Sequence, residues 1–156
     1  MDLDRIDQKI IRLLEGNSRL SFAELAEEVG LSKTPCWKRV KALEDAGVIR
    51  GYSLVVDPAK IGFGLEAFVQ VTISPESYVD FEAAVVRHPL IRRCHATTGE
   101  DDYVLQIIAV DMTELDELLR KEIALLPGVR RTVTSMITRE IKAATRLADA
   151  LARATA

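Results

Sequence analysis

Cysteine is scarce in this chain. Its two residues, Cys36 and Cys94, lie far apart with no C-x-x-C pair, so both read as free thiols of a cytoplasmic protein, the alternatives being a two-Cys disulfide or a metal site built with His88 and His95. Long apolar runs are missing too, which removes a membrane span of roughly 20 residues. The opening Met1-Asp2-Leu3-Asp4-Arg5 has no signal core. Aromatics make up only 5% of the chain, against 48% apolar and 29% charged residues. That is the balance of a globular protein and not of a disordered, collagenous or coiled-coil chain. There is no glycine-rich phosphate loop, no metal-ligand spacing, and no Ser or Cys paired with a His in a catalytic pattern. Cys94 and His95 are neighbours on a strand and point to opposite faces. No catalytic residue, metal or cofactor is expected. A basic excess is also lacking: the formal net charge is −3, which at first argues against a nucleic-acid partner.

Position changes that inference. Residues 1–64 carry ten cations and ten acids, and residues 65–156 carry eleven and fourteen, so the acidity belongs to the second part. Between Ser32 and Lys41 stand Lys33, Lys38, Arg39 and Lys41 without one acid. Such a run can hold a phosphate backbone. It can also be only a solvated helix face.

Local signals place the run. From Asp4, apolar residues at Ile6, Ile10, Leu13 and Leu14 mark an amphipathic helix that Gly16-Asn17 stops. Ser21-Phe22-Ala23-Glu24 is a capping box opening a second helix over Leu25, Ala26 and Val29, and Gly30 ends it. Ser32 or Thr34 caps a third, with Pro35 in its first turn, Cys36, Val40 and Leu43 inward, and Gly47 at its close. Two helices joined by Gly30-Leu31-Ser32 form a helix-turn-helix, whose second helix enters the major groove by its N-terminal end. The cationic run falls on that end, where the helix dipole adds to the attraction for phosphate. Val48 to Pro58 reads as a short strand or wing ending in an Asp-Pro turn.

The candidate DNA contacts are Ser32, Lys33, Thr34, Pro35, Trp37, Lys38, Arg39, Lys41 and Arg50. The lysines suit phosphates. Thr34, Trp37 and Arg39 suit base edges or groove positioning, although Trp37 reads equally as core. The order Ile6-Asp7, Leu20-Ser21, Leu25-Ala26, Val29-Gly30-Leu31-Ser32, Arg39-Val40, Leu43-Glu44 and Gly47-Val48-Ile49 resembles the winged helix-turn-helix of Lrp/AsnC transcriptional regulators. The variant Thr34-Pro35-Cys36-Trp37-Lys38-Arg39 is similar to the branch governing amino-acid catabolism, which makes cysteine the first guess for an effector.

The second part alternates strand and helix. Leu65 to Ile73 has period two. Ser74-Pro75 starts a helix with Tyr78, Phe81 and Val85 on one face, and Ile91 to Thr97 and Tyr103 to Val110 form a hairpin. Thr113 caps a helix burying Leu115, Leu118, Leu119, Ile123 and Leu126, and Val129 to Thr138 is a last strand. The order βαββαβ predicts an α+β chain: an N-terminal winged helix-turn-helix, then a ferredoxin-like antiparallel sheet with both helices on one face. The expected boundaries are 1–56 for the DNA-binding domain, 57–64 for a linker, 65–140 for the ferredoxin-like domain and 141–156 for a frayed helical tail. Apolar positions left on the other sheet face point to a homodimer.

The turn Gly99-Glu100-Asp101-Asp102-Tyr103 resembles the family's Gly-x-x-Asp-Tyr/Phe turn near its effector pocket. That resemblance implies Gly99, Asp102 and Tyr103 as effector contacts. By chemistry, a zwitterionic amino acid needs a carboxylate for its ammonium and donors for its own carboxylate. Thr97, Thr98, the Gly99 backbone, Asp101 and Asp102 supply both kinds, Glu100 is counted with them as an effector contact of the same turn, and Thr132, Thr134 and Ser135 are further donors from a neighbouring subunit. The same turn also reads as a hairpin loop using Gly and Asp for their backbone preferences, or as a hard-cation site. Two helix-turn-helix units on one dimer would read a palindromic operator in double-stranded DNA. The resemblance implies a regulator that binds an amino acid and builds octamers from dimers, and the expected location is the cytoplasm, on the nucleoid. A nucleoid-type architectural protein of low sequence specificity is the alternative.

Overall fold

In a computed structural model, residues 3–144 and 146–154 are described. They form two compact units, one of Met1–Leu54 with Ile141–Ala156 and one of Val55–Glu140. The C-terminal segment, expected to be a separate tail, therefore belongs to the first unit.

Three helices open the first unit: α1 (Arg5–Gly16), α2 (Phe22–Val29) and α3 (Lys33–Asp45). Each start has a local cause. The Asp4 carboxylate accepts from the Ile6 and Asp7 N–H groups while Asp7 reaches back to the Asp4 N–H, and Ser21 and Glu24 repeat that reciprocal box on α2. Gly30, at φ +73°, ends α2 in the left-handed conformation, and the Leu31 N–H closes onto the Ala26 carbonyl. Ser32 sits at the cap position of α3, but its hydroxyl makes no cap bond. Ile10, Leu25, Ala26, Cys36, Val40 and Leu43 form the core.

The expected strand after Gly47 is absent from the described residues. Residues 50–57 are irregular, and Leu54 and Val55 are 86% and 93% exposed. A strand needs a neighbour for its N–H and C=O groups, and none pairs with this segment. Tyr52 instead donates to Glu44 Oε1 at 3.0 Å. The predicted linker at 57–64 holds a 3-10 turn over Ala59–Ile61.

The second unit follows the predicted order: β1 (Leu65–Ile73), α4 (Tyr78–Arg87), β2 (Ile91–Ala96), β3 (Tyr103–Ala109), α5 (Met112–Lys121) and β4 (Val129–Met136). The strands lie β2-β3-β1-β4, every pair antiparallel. Ala67, Val69, Val71 and Ile73 of β1 join Leu105 and Ile107 of β3 under Phe81, Val85, Leu115, Leu118 and Ile123. Tyr78, expected on the buried face of α4, stands in its first turn and is 54% exposed. The cap of α5 is Asp111 and not Thr113, because the Asp111 carboxylate accepts from both the Thr113 and Glu114 N–H groups. Gly128, at φ +71°, passes so near the 74–77 turn that an added Cβ would stand 2.3 Å from Ser77 Cβ. The Ser74 N–H donates to its carbonyl at 2.8 Å.

Strand alternation puts Glu66, Phe68, Gln70 and Thr72 on the opposite face, beside Val104, Gln106, Val133 and Ser135. Gln106 donates to Glu66 Oε2 at 3.0 Å, and Phe68 is 43% exposed. The last helix, α6 (Leu147–Ala154), lies in the first unit against α1.

Candidate functional site

The exposed side of α3 is the first region of interest. With Cys36, Val40 and Leu43 buried, the helical period turns Lys33, Thr34, Trp37, Lys38 and Lys41 to solvent. Trp37 is 47% exposed and lies outside the core cluster, which settles its two readings in favour of the surface. Lys33 and Lys38 are exposed and enter no ion pair among those of the described residues. Lys41 is partly neutralised by Asp45 at 3.0 Å and Glu44 at 3.6 Å. Ser32, Pro35 and Arg50 are exposed around this surface.

Arg39 departs from the expectation. Its Nη1 lies 2.7 Å from Asp4 Oδ2 and 2.8 Å from Asp7 Oδ1, so the guanidinium faces α1 and not outward toward a base edge. Asp7 is the one buried charged residue among those described, and a buried carboxylate needs such a partner. The acceptor bonds raise the Arg39 pKa above its ordinary value. The Asp7 N–H, followed by Arg39, holds Asp4 below its ordinary value. Arg39 is thus a positioning residue that joins the start of α1 to the middle of α3. Charge spacing alone shows that a cation is there and not which way it turns.

The second region is the turn between β2 and β3. Gly99 takes φ +141°. Thr97 closes the turn twice, its N–H donating to the Asp102 carbonyl at 2.9 Å and its hydroxyl to the Asp101 carbonyl at 2.8 Å. Asp102 Oδ2 accepts from the Ile73 N–H at 2.8 Å, beside the register shift between Thr72 and Ile73. Asp101 Oδ1 accepts from the Thr72 hydroxyl at 3.0 Å and lies 3.6 Å from Arg131 Nη1. Glu100 lies 3.3 Å from the same nitrogen. Thr98 is exposed at the tip.

The expected effector residues therefore do not all converge within one chain. Asp101 and Glu100 gather with Thr72 and Arg131 on the sheet face opposite the helices. Thr132 and Thr134 pair with Val71 and Val69 and so belong to the helix-bearing face. Tyr103 is also on that side: it is buried, its ring centroid lies 4.8 Å from that of Phe81, and its hydroxyl donates to Glu82 Oε1 at 2.7 Å. Burial, followed by Glu82, pushes its pKa up to about 12. Its phenol is committed to α4. Sequence spacing does not display Thr72 and Arg131, which the strand register brings to the turn, or Glu82, which the packing of α4 on the sheet brings to Tyr103. Among the described residues, no group of three His, Cys, Asp or Glu side chains is arranged to hold a metal ion. No helix there is long and apolar enough to cross a membrane.

A helix-turn-helix with an outward cationic face, joined to a four-stranded α+β unit, defines a DNA-binding regulator with a separate sensing domain. Residues 3–50 match the winged helix-turn-helix DNA-binding model, and residues 66–147 match the Lrp/AsnC ligand binding domain. The chain belongs to the Lrp/AsnC family of transcriptional regulators. It is 39% identical to the leucine-responsive regulatory protein of Salmonella typhimurium over 149 residues, 94% of this chain and 91% of that one. A crystal structure of a Neisseria meningitidis transcriptional regulator in complex with L-Met superposes with a TM-score of 0.88 at 38% identity, covering 93% of this chain and 96% of that one. B. subtilis LrpC follows at 0.83 and 33%, covering 91% and 94% respectively. These relatives are regulators and not enzymes, and this chain is a transcription regulator with a DNA-binding domain and an amino-acid-binding domain.

Proposed function

We propose that this regulator binds a palindromic operator as a homodimer through Lys33, Thr34, Trp37 and Lys38, with Ser32, Pro35, Lys41 and Arg50 at the flanks. The outward face of α3, cationic and free of acids over its first turns, carries this reading. Two such helices on a dimer address half-sites one or more helical turns apart, roughly 34 Å per turn. The face holding Phe68 and Val133 is the surface a second copy covers. Dimers build an octamer, and the protein works in the cytoplasm on the nucleoid, a placement supported by its DNA partner.

The effector is an amino acid held at the turn of residues 98–103. Asp102 spends Oδ2 on the Ile73 N–H, which directs Oδ1 to the ligand's ammonium. Gly99 and Thr98 face the ligand's carboxylate, Tyr103 backs the site, and Thr132 and Thr134 arrive from a neighbouring copy. Glu100 and Asp101 have Arg131 as their partner and set the charge of the rim. Relatives described as leucine-responsive or bound to L-Met favour an aliphatic amino acid, with cysteine as a third candidate.

Calorimetric titration of Asp102→Asn with L-leucine, L-methionine and L-cysteine tests the site. Asn keeps an acceptor for Ile73 and loses the charge. A charge-assisted bond contributes about 1.5–3 kcal/mol, so affinity should fall about tenfold or more. An unchanged titration removes the turn from the binding site.

A further inference from the structure

The chain passes between the two units twice, after Leu54 and again after Glu140. The second passage ends in α6, and α6 is held in an unusual way. The carboxylate of Glu15, at the far end of α1, accepts from the Leu147 N–H at 2.9 Å and the Ala148 N–H at 2.8 Å. One glutamate thereby satisfies two of the orphan donors of the helix and meets the positive end of its dipole. Arg12, one turn earlier on α1, pairs with Asp149 at 2.9 Å. Ala148 is buried and lines an open groove of about 270 Å³ together with Arg5, Gln8, Lys9 and Arg12.

An eight-residue helix does not hold itself together in water. The fold of α6 therefore depends on its seat on α1, against which it packs. The same α1 carries Asp4 and Asp7, which grip Arg39 of α3. On the other side, β4 ends at Met136 and α6 begins at Leu147. The ten residues between them span at most about 35 Å when fully extended.

We infer that α6 is a strap: seated on α1 through Glu15, Arg12 and Ala148, it ties the end of β4 to the helix that positions α3, and it carries the effector state of the sensing domain to the DNA-binding unit. The inference rests on the proposed amino-acid response. Binding at the turn and β4 can act on α3 only by favouring one of two arrangements, and the seated or released strap supplies the pair.

The test compares full-length wild type with Glu15→Ala and with Ala148→Arg, which places a fifth polar side chain among Arg5, Gln8, Lys9 and Arg12. Each protein is assayed for hydrogen exchange over residues 147–154. DNA affinity is measured with and without saturating L-leucine, L-methionine or L-cysteine, on a fragment the wild type selects from a random pool. Wild type should change its DNA dissociation constant about fivefold or more with one of these ligands. Both variants should lose amide protection in α6 and respond less than about twofold. Variants that release α6 yet respond like wild type overturn the strap alone, as does an α6 that stays protected in both. A wild type indifferent to all three amino acids overturns the effector reading and the strap with it.

Discussion

The hydroxyl of Tyr103 donates to Glu82 at 2.7 Å while its ring lies against Phe81, and both facts follow from its place at the start of β3 under α4. Burial disfavours the phenolate, and the neighbouring carboxylate disfavours it further, so the group titrates at about 12 in the fold against 10.0 when unperturbed. The raised value fixes the sign of the pH effect. The stabilisation is complete below pH 10 and is lost as pH rises through about 12. Alkaline titration of tyrosinate absorbance should show an ionisation near 12 that Tyr103→Phe removes. The same substitution should flatten the fall in stability over that interval. A profile identical to wild type would show that this phenol does not titrate there. Asp102, which the resemblance implies as a ligand contact, also accepts from the Ile73 N–H at the end of β1, a task that sequence spacing does not display.

At the scale of elements, much of the first unit was legible because its signals are local. Ser21 with Glu24 and Gly30 after Val29 act within one turn of the backbone they shape, and the helix they predict is the helix observed. What depends on a partner was not legible. The segment after Gly47 has the composition of a strand and no neighbour to pair with. Asp111, and not Thr113, caps α5 because a carboxylate can reach two N–H groups from that position. Only the register of β4 on β1 shows that Thr132 and Thr134 lie on the sheet face away from the acidic turn of their own chain. Arg39 belongs with these. Its cation was read correctly and its direction was not, since the buried carboxylate that turns it lies 32 residues away. Arg39→Ala should leave Asp7 buried without its cation and lower unfolding stability by about 1–3 kcal/mol, measured by urea denaturation. Asp7→Asn in the same chain should recover part of the loss. A single substitution with no effect on the urea midpoint would contradict the role of this pair.

The whole molecule is two small units in one chain, one carrying 12 cations against 10 acids and the other 9 against 14. The net charge of −3 conceals this division, because the acids are concentrated away from the helix that meets DNA. Small units bury a limited share of their surface, and the sheet face holding Phe68, at 43% exposure, is the natural place for a second copy. Phe68→Asp should convert the proposed homodimer to monomer in analytical ultracentrifugation while leaving far-ultraviolet circular dichroism unchanged. An assembly unaltered by this charge would locate the interface elsewhere.

On the proposed reading, the unpaired cations Lys33 and Lys38 of α3 hold the DNA. The most direct measurement is the salt dependence of binding for Lys33→Ala/Lys38→Ala, using a fragment the wild type selects from a random pool. Each phosphate contact removed should reduce the slope of log K against log salt by about 0.9, with affinity falling alongside. A double variant with wild-type affinity and wild-type slope would contradict the assignment of α3 as the DNA-binding helix.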